Sequence, residues 1–178
     1  VWAETLLTDV SLACVDTSEC PGDMQPHCDR VARWMSDEVN SRLVVGSGNS
    51  AWRIRGGRNS ECRPQQASTQ VSVGIQSLLS VESTTSVHNQ LAFTASGSFL
   101  IHVVTEVPLH NRTTVIIIGA DTAGLQAGVG RLLRELRMPP RLSFRCTPPS
   151  SEQLVVQIPS RLRIVRDGAR QTWRVRGH

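Results

Sequence analysis

The sequence predicts a two-layer α+β sandwich. Two amphipathic helical segments, one over residues 26–43 and one carrying the stripe from Leu125 to Leu136, are set among a run of short strand-like segments. The strands come in runs, without the regular βα alternation of a doubly wound sheet. At 178 residues the chain has the length of one domain with a real core.

Residues 10–15 read as the first strand, followed by turn residues 16–22. In the segment 26–43, Val31, Trp34, Met35, Val39 and Leu43 recur at three- and four-residue steps, with Arg30, Arg33, Asp37 and Glu38 on the opposite side. Trp52-Arg53-Ile54-Arg55 alternates like a half-buried strand closed by Gly56-Gly57, and residues 71–75 alternate again. Residues 91–95 and 98–105 form two strands around a Ser96-Gly97 turn. Residues 114–118 are β-branched throughout and read as a strand buried on both faces. In the second helix Leu125, Val129, Leu132, Leu133 and Leu136 share one stripe, and Pro139-Pro140 stops it. Gly124 and Gly128 each cost about 1 kcal/mol of helix propensity relative to Ala, the kind of cost that close packing on a sheet offsets. Residues 142–146, 154–158 and 161–165 complete the strands.

Every one of the 19 basic residues is Arg, and the net charge is +4. The arginines are spread from Arg30 to Arg176, not gathered into a patch, which argues against nucleic acid as a partner. No apolar run approaches the roughly 18 residues of a membrane span. The five cysteines lack the paired spacing of a zinc site, and no metal is expected. Cys14, Cys20, Cys28 and Cys62 are candidates for two disulfides, with the pairing open, and Cys146 is left over, expected either to be unpaired or to reach a partner outside the domain. Asn111-Arg112-Thr113 is a glycosylation sequon, which places Asn111 as an acceptor. Cysteines and sequon together point to a secreted protein, extracellular or within the lumen of the secretory pathway.

The strand and turn Val115-Ile116-Ile117-Ile118-Gly119-Ala120-Asp121-Thr122-Ala123-Gly124 imitate a dinucleotide-binding start. That chemistry requires a glycine where Asp121 stands, so that backbone can approach the pyrophosphate. A carboxylate there would repel phosphate, and Asp121 reads as a helix cap instead. No cofactor is expected, and an oxidoreductase fragment is the weakest of the functional readings.

The same residues resemble another family. The β-branched strand, the turn Ala120-Asp121-Thr122-Ala123-Gly124, the helix glycine Gly128 and the pair Leu132-Leu133 are similar to the N-terminal α+β domain that precedes the barrel in family 20 β-hexosaminidases. Related domains precede the barrels of α-glucuronidases and O-GlcNAcase-type enzymes. Toward the C-terminus, Ile164-Val165-Arg166-Asp167-Gly168-Ala169-Arg170, Trp173 and Arg176-Gly177 resemble the family's entry into its first barrel strand. Ala169 replaces the family's proline, and two residues separate Trp173 from Arg176, which favours a divergent relative.

The resemblance covers residues 91–178 and is only topological before that. It implies a mixed sheet with two main helices on one face, as in hexosaminidase domain 2. It implies a non-catalytic domain over residues 1–165, with 166–178 as the linker and first strand of a (β/α)8 barrel. The chain's own barrel, and through it a carbohydrate substrate, would be its partners. Arg176 would bind sugar hydroxyls in the intact enzyme.

No catalytic residue is assigned within the chain. Glycoside hydrolysis needs two facing carboxyls, or one acid and a substrate acetamide, and the acids here are scattered. None of His27, His88, His102, His110 and His178 accompanies a nucleophile elbow, and His102 is expected to be a hydrogen-bonded core or edge residue. A free-standing secreted interaction module with the same fold is the alternative to the hydrolase companion.

Overall fold

A computed structural model describes residues 7–10, 12–43, 51–55, 69–75, 95–106, 112–137 and 156–166. The elements are β1 (Leu7–Val10), β2 (Leu12–Asp16), α1 (Gln25–Leu43), β3 (Ala51–Arg55), β4 (Thr69–Ile75), β5 (Phe99–Glu106), β6 (Arg112–Gly119), α2 (Thr122–Glu135), β7 (Val156–Pro159) and β8 (Arg161–Arg166). Six strands form one mixed sheet in the order β3-β2-β4-β6-β5-β8. β3, β2, β4 and β6 run parallel to one another, whereas β5 pairs antiparallel with both β6 and β8. The architecture is α+β with two helices and a mixed sheet.

The alternation of each strand decides where the helices lie. Val71, Val73 and Ile75 of β4, Phe99, Ile101 and Val103 of β5, and Val115 and Ile117 of β6 join a single core with Val31, Met35 and Val39 of α1 and Leu125, Val129 and Leu132 of α2. The helices touch each other as well as the sheet, so both lie on one face. The intervening positions Leu100 and Ile118 are buried on the opposite face, with Ile116 and Ala120 packed beside them. β6 is therefore apolar toward both sides, as its β-branched run predicts.

Two expectations are corrected. Residues 10–15 are not one strand. β1 (Leu7–Val10) pairs antiparallel with β7 in a separate two-stranded sheet, while β2 (Leu12–Asp16) enters the main one. Local pattern cannot reveal that split, because Val10 and Val15 are both buried in the same core. Trp34, placed by its spacing on the apolar stripe of the first helix, is 44% exposed. The buried stripe runs instead through Cys28, Val31, Ala32, Met35 and Val39. Trp34 lies about 100° round the helix from Met35, on the flank facing α2, where its ring edge approaches Gly130.

Hydroxyls tie the small sheet to the large one. The Thr8 Oγ1 atom lies 2.7 Å from Ser160 Oγ and 3.4 Å from Thr105 Oγ1, and Thr105 Oγ1 lies 3.1 Å from Thr113 Oγ1. Such chains satisfy polar groups that burial would otherwise leave costly. Residues 91–94 of the expected strand at 91–95, and the whole expected strand at 142–146, fall outside the described residues; Ala95 lies in the turn before β5.

Candidate functional site

The junction between β6 and α2 gathers several hydrogen bonds on one side chain, and it is the segment that imitates a cofactor loop. Asp121 is the N-cap of α2, with extended backbone, and its Oδ1 accepts from the Gly124 N–H at 2.7 Å. The same carboxylate accepts from the Gly97 N–H, at 3.2 and 3.1 Å to its two oxygens, and from the Ser96 hydroxyl. Gly97 adopts φ 77°, a left-handed turn conformation open to glycine at little cost. One side chain thus caps the helix and pins the turn that leads into β5.

The electrostatics agree with that role. Partial burial raises the Asp121 carboxyl's pKa, but the Ser96 hydroxyl and then the amides of Gly124, Gly97 and Ala123 outweigh it, holding the group below its ordinary 3.8. The helix N-terminus that would receive a phosphate is occupied by the chain's own carboxylate, so the dinucleotide reading has no anion site here. Gly124 serves packing: an added Cβ would fall on the Ser98 carbonyl oxygen, which itself accepts from the Ala120 N–H at 2.9 Å.

Replacing this cap has a predictable result. Asp121→Ala should lower stability by about 1–2 kcal/mol, the usual range for losing an N-cap. The sign of the pH dependence follows from the lowered pKa. The contribution is fully present above the unfolded value and is lost as pH falls through the folded one. Acid titrations of unfolding free energy should therefore be shallower below about pH 4 in Asp121→Ala than in the parent. Equal slopes would remove the charge from the explanation.

A second cluster surrounds the start of α1. Cys20 and Cys28 form a disulfide with Cα atoms 6.5 Å apart, closing the turn between β2 and α1. Beside it the Thr17 hydroxyl donates to Asp29 Oδ1 at 2.7 Å, and Gln25 Nε2 donates to Asp29 Oδ1 at 2.9 Å and Thr17 Oγ1 at 2.8 Å. Cys14 is also disulfide-bonded, to a partner outside the described residues. Cys62, Cys146, Asn111 and Arg176 all fall outside the described residues. Of the sequon, Arg112 and Thr113 are described. Thr113 is fully buried at the start of β6, and Arg112 Nη2 donates to Gln70 Oε1 at 2.8 Å.

His102 departs from expectation. It stands on β5, an interior strand, and Nδ1 is buried without a hydrogen-bond partner among the described residues. Among those residues no group of His, Cys, Asp and Glu could hold a metal ion, and no helix is long and apolar enough to cross a membrane. The sequence matches no protein-family model and no curated protein.

The partners Ser96 and Gly97 of Asp121 were readable as a turn but not as ligands of the cap. That contact joins residues 24 and 25 positions apart, and only the packing of α2 over β5 creates it.

Proposed function

We propose that this chain is the non-catalytic N-terminal α+β domain of a secreted glycoside hydrolase, of the type that precedes the barrel in β-hexosaminidases, α-glucuronidases and O-GlcNAcase-type enzymes. The observation that carries the reading is the β6–Asp121–α2 junction. The residues of this junction that bear the family resemblance are engaged in holding a helix to a sheet, and the Asp121 carboxylate accepts from Ser96, Gly97 and Gly124. This is the chemistry of a support. Two helices on one face of a mixed sheet suit the same reading. The Cys20–Cys28 disulfide is compatible with an oxidising compartment.

The barrel that follows would supply the paired acids, and Arg176 would give a planar fork of hydrogen bonds to sugar hydroxyls at its first strand. The domain by itself is expected to hydrolyse no chromogenic hexosaminide or glucuronide. Turnover by these 178 residues that a single Asp or Glu substitution abolished would overturn the assignment. In the protein carrying the barrel, Arg176→Ala should lower kcat/KM by about 10- to 150-fold, equivalent to the roughly 1.5–3 kcal/mol of a hydrogen bond to a charged group. Folding of the N-terminal domain should be unchanged, and an unaltered kcat/KM would remove the role given to Arg176.

A free-standing secreted module with the same fold is the second reading, and Trp34, 44% exposed on the helix layer, is the side chain it would present to a partner. The coding sequence beyond His178 separates the two readings. A (β/α)8 barrel with acids at its strand ends supports the companion domain, and a stop codon supports the module.

A further inference from the structure

The sheet face turned away from the helices contains a charge arrangement that neither reading of function uses. His102 points to that face together with Leu100 and Val104 of its own strand. Directly across, it is paired with Arg163 of β8 on one side and Ile116 of β6 on the other. The diagonal positions are Arg161 and Val165 on β8 and Thr114 and Ile118 on β6. Further along the strand, residue 106 is paired in register with Arg112, and Asp16 lies beyond β6 and β4 on β2. None of the in-register or diagonal neighbours of His102 on β6 and β8 is acidic, and the charged ones are Arg163 and Arg161.

β8 closes one end of the described strand order, so its only strand partner in that sheet is β5. Its hold on the core is limited: Leu162 and Ile164 are partly buried against it, while Val165 is 51% exposed.

The geometry points to β8 as an acid-releasable edge strand, with protonation of His102 opposite Arg163 as the trigger. Directly opposed side chains sit about 4.5–5.5 Å apart at Cβ, close enough for like charges to destabilise the pair. An imidazolium at position 102 faces a guanidinium and an apolar strand, and its buried Nδ1 would become a second N–H donor with no acceptor. Detaching β8 relieves both conditions at once, because it removes Arg163 and admits water to the ring, while the interior strands stay paired.

The resting state is consistent with this. Burial, and then the Arg163 guanidinium, hold the His102 pKa below its ordinary 6.5. A depressed histidine pKa means that the opened strand binds the proton more tightly than the closed one. Closure is therefore fully favoured above about pH 6.5 and weakens as pH falls from there through the folded pKa.

Hydrogen exchange reads the device directly. Protection factors, corrected for intrinsic exchange, should fall several-fold at residues 161–166 between about pH 7.5 and pH 5, the span in which histidine titrates. Residues 69–75 of the interior strand β4 should keep theirs. His102→Gln should abolish the fall, and Arg163→Gln should reduce it. Unchanged protection of 161–166 at the lower pH would overturn the proposal. So would an equal fall in His102→Gln, or a parallel loss across 69–75 that marks global unfolding. Should His102→Gln fail to fold, an NMR titration of His102 in the parent decides, and a pKa at or above 6.5 rejects the trigger.

Discussion

Gly124→Ala should destabilise the domain by about 3 kcal/mol, the upper end of ordinary overpacking costs. Helix propensity alone predicts the reverse, since Ala is favoured over Gly by about 1 kcal/mol in a helix interior. Sterics win here because the new methyl would occupy the position of the Ser98 carbonyl oxygen, a backbone atom held in place by Ala120. Retreat of α2 would pull Gly128 from Ile117 and Phe99, which an added Cβ at that position would approach within 3.1 and 3.3 Å. It would also unseat Asp121 from Gly97. For a chain of this length the loss corresponds to a fall in Tm of about 6–12 °C. Gly130→Ala is the matching control. Its Cβ would meet only the Trp34 ring at 3.8 Å, so the propensity term acts alone and stability should rise by about 0.5–1 kcal/mol. Thermal unfolding of the two variants side by side tests the argument, and a stabilising Gly124→Ala would refute the close approach.

Removal of the Cys20–Cys28 disulfide should cost about 2–3 kcal/mol, as expected for a closed loop of roughly nine residues in the chain-entropy account. Both cysteines are nearly or fully buried, at 8% and 0% exposure, so the double variant Cys20→Ala with Cys28→Ala avoids burying new hydroxyls. Urea unfolding should show a lower midpoint with little change in slope, and exchange should quicken between Asp16 and Gln25, the turn that the bridge closes. The effect is separable from that of the Cys14 disulfide, which the double variant leaves intact. An unchanged midpoint would show that Thr17, Gln25 and Asp29 hold this turn without help from the covalent bond.

Much of the architecture is set by short-range pattern. The three- and four-residue spacing of Val31, Met35 and Val39, and of Leu125, Val129 and Leu132, specifies two helices with one apolar side each. The β-branched run from Val115 to Ile118 specifies a strand that accepts packing on both faces. The acid at position 121 rules out a phosphate-cradling turn and caps the helix, and that much follows from its charge and place alone. The tertiary structure decided what is non-local. Strand order, the separation of β1 from β2 and the exposure of Trp34 depend on which surfaces meet, and no local period encodes a partner far along the chain. The Ser96–Gly97 seat of Asp121 and the opposition of His102 to Arg163 arise in the same way. Residues 61 positions apart become neighbours only when β5 and β8 pair in one register, and a one-residue slip would turn Arg163 to the opposite face.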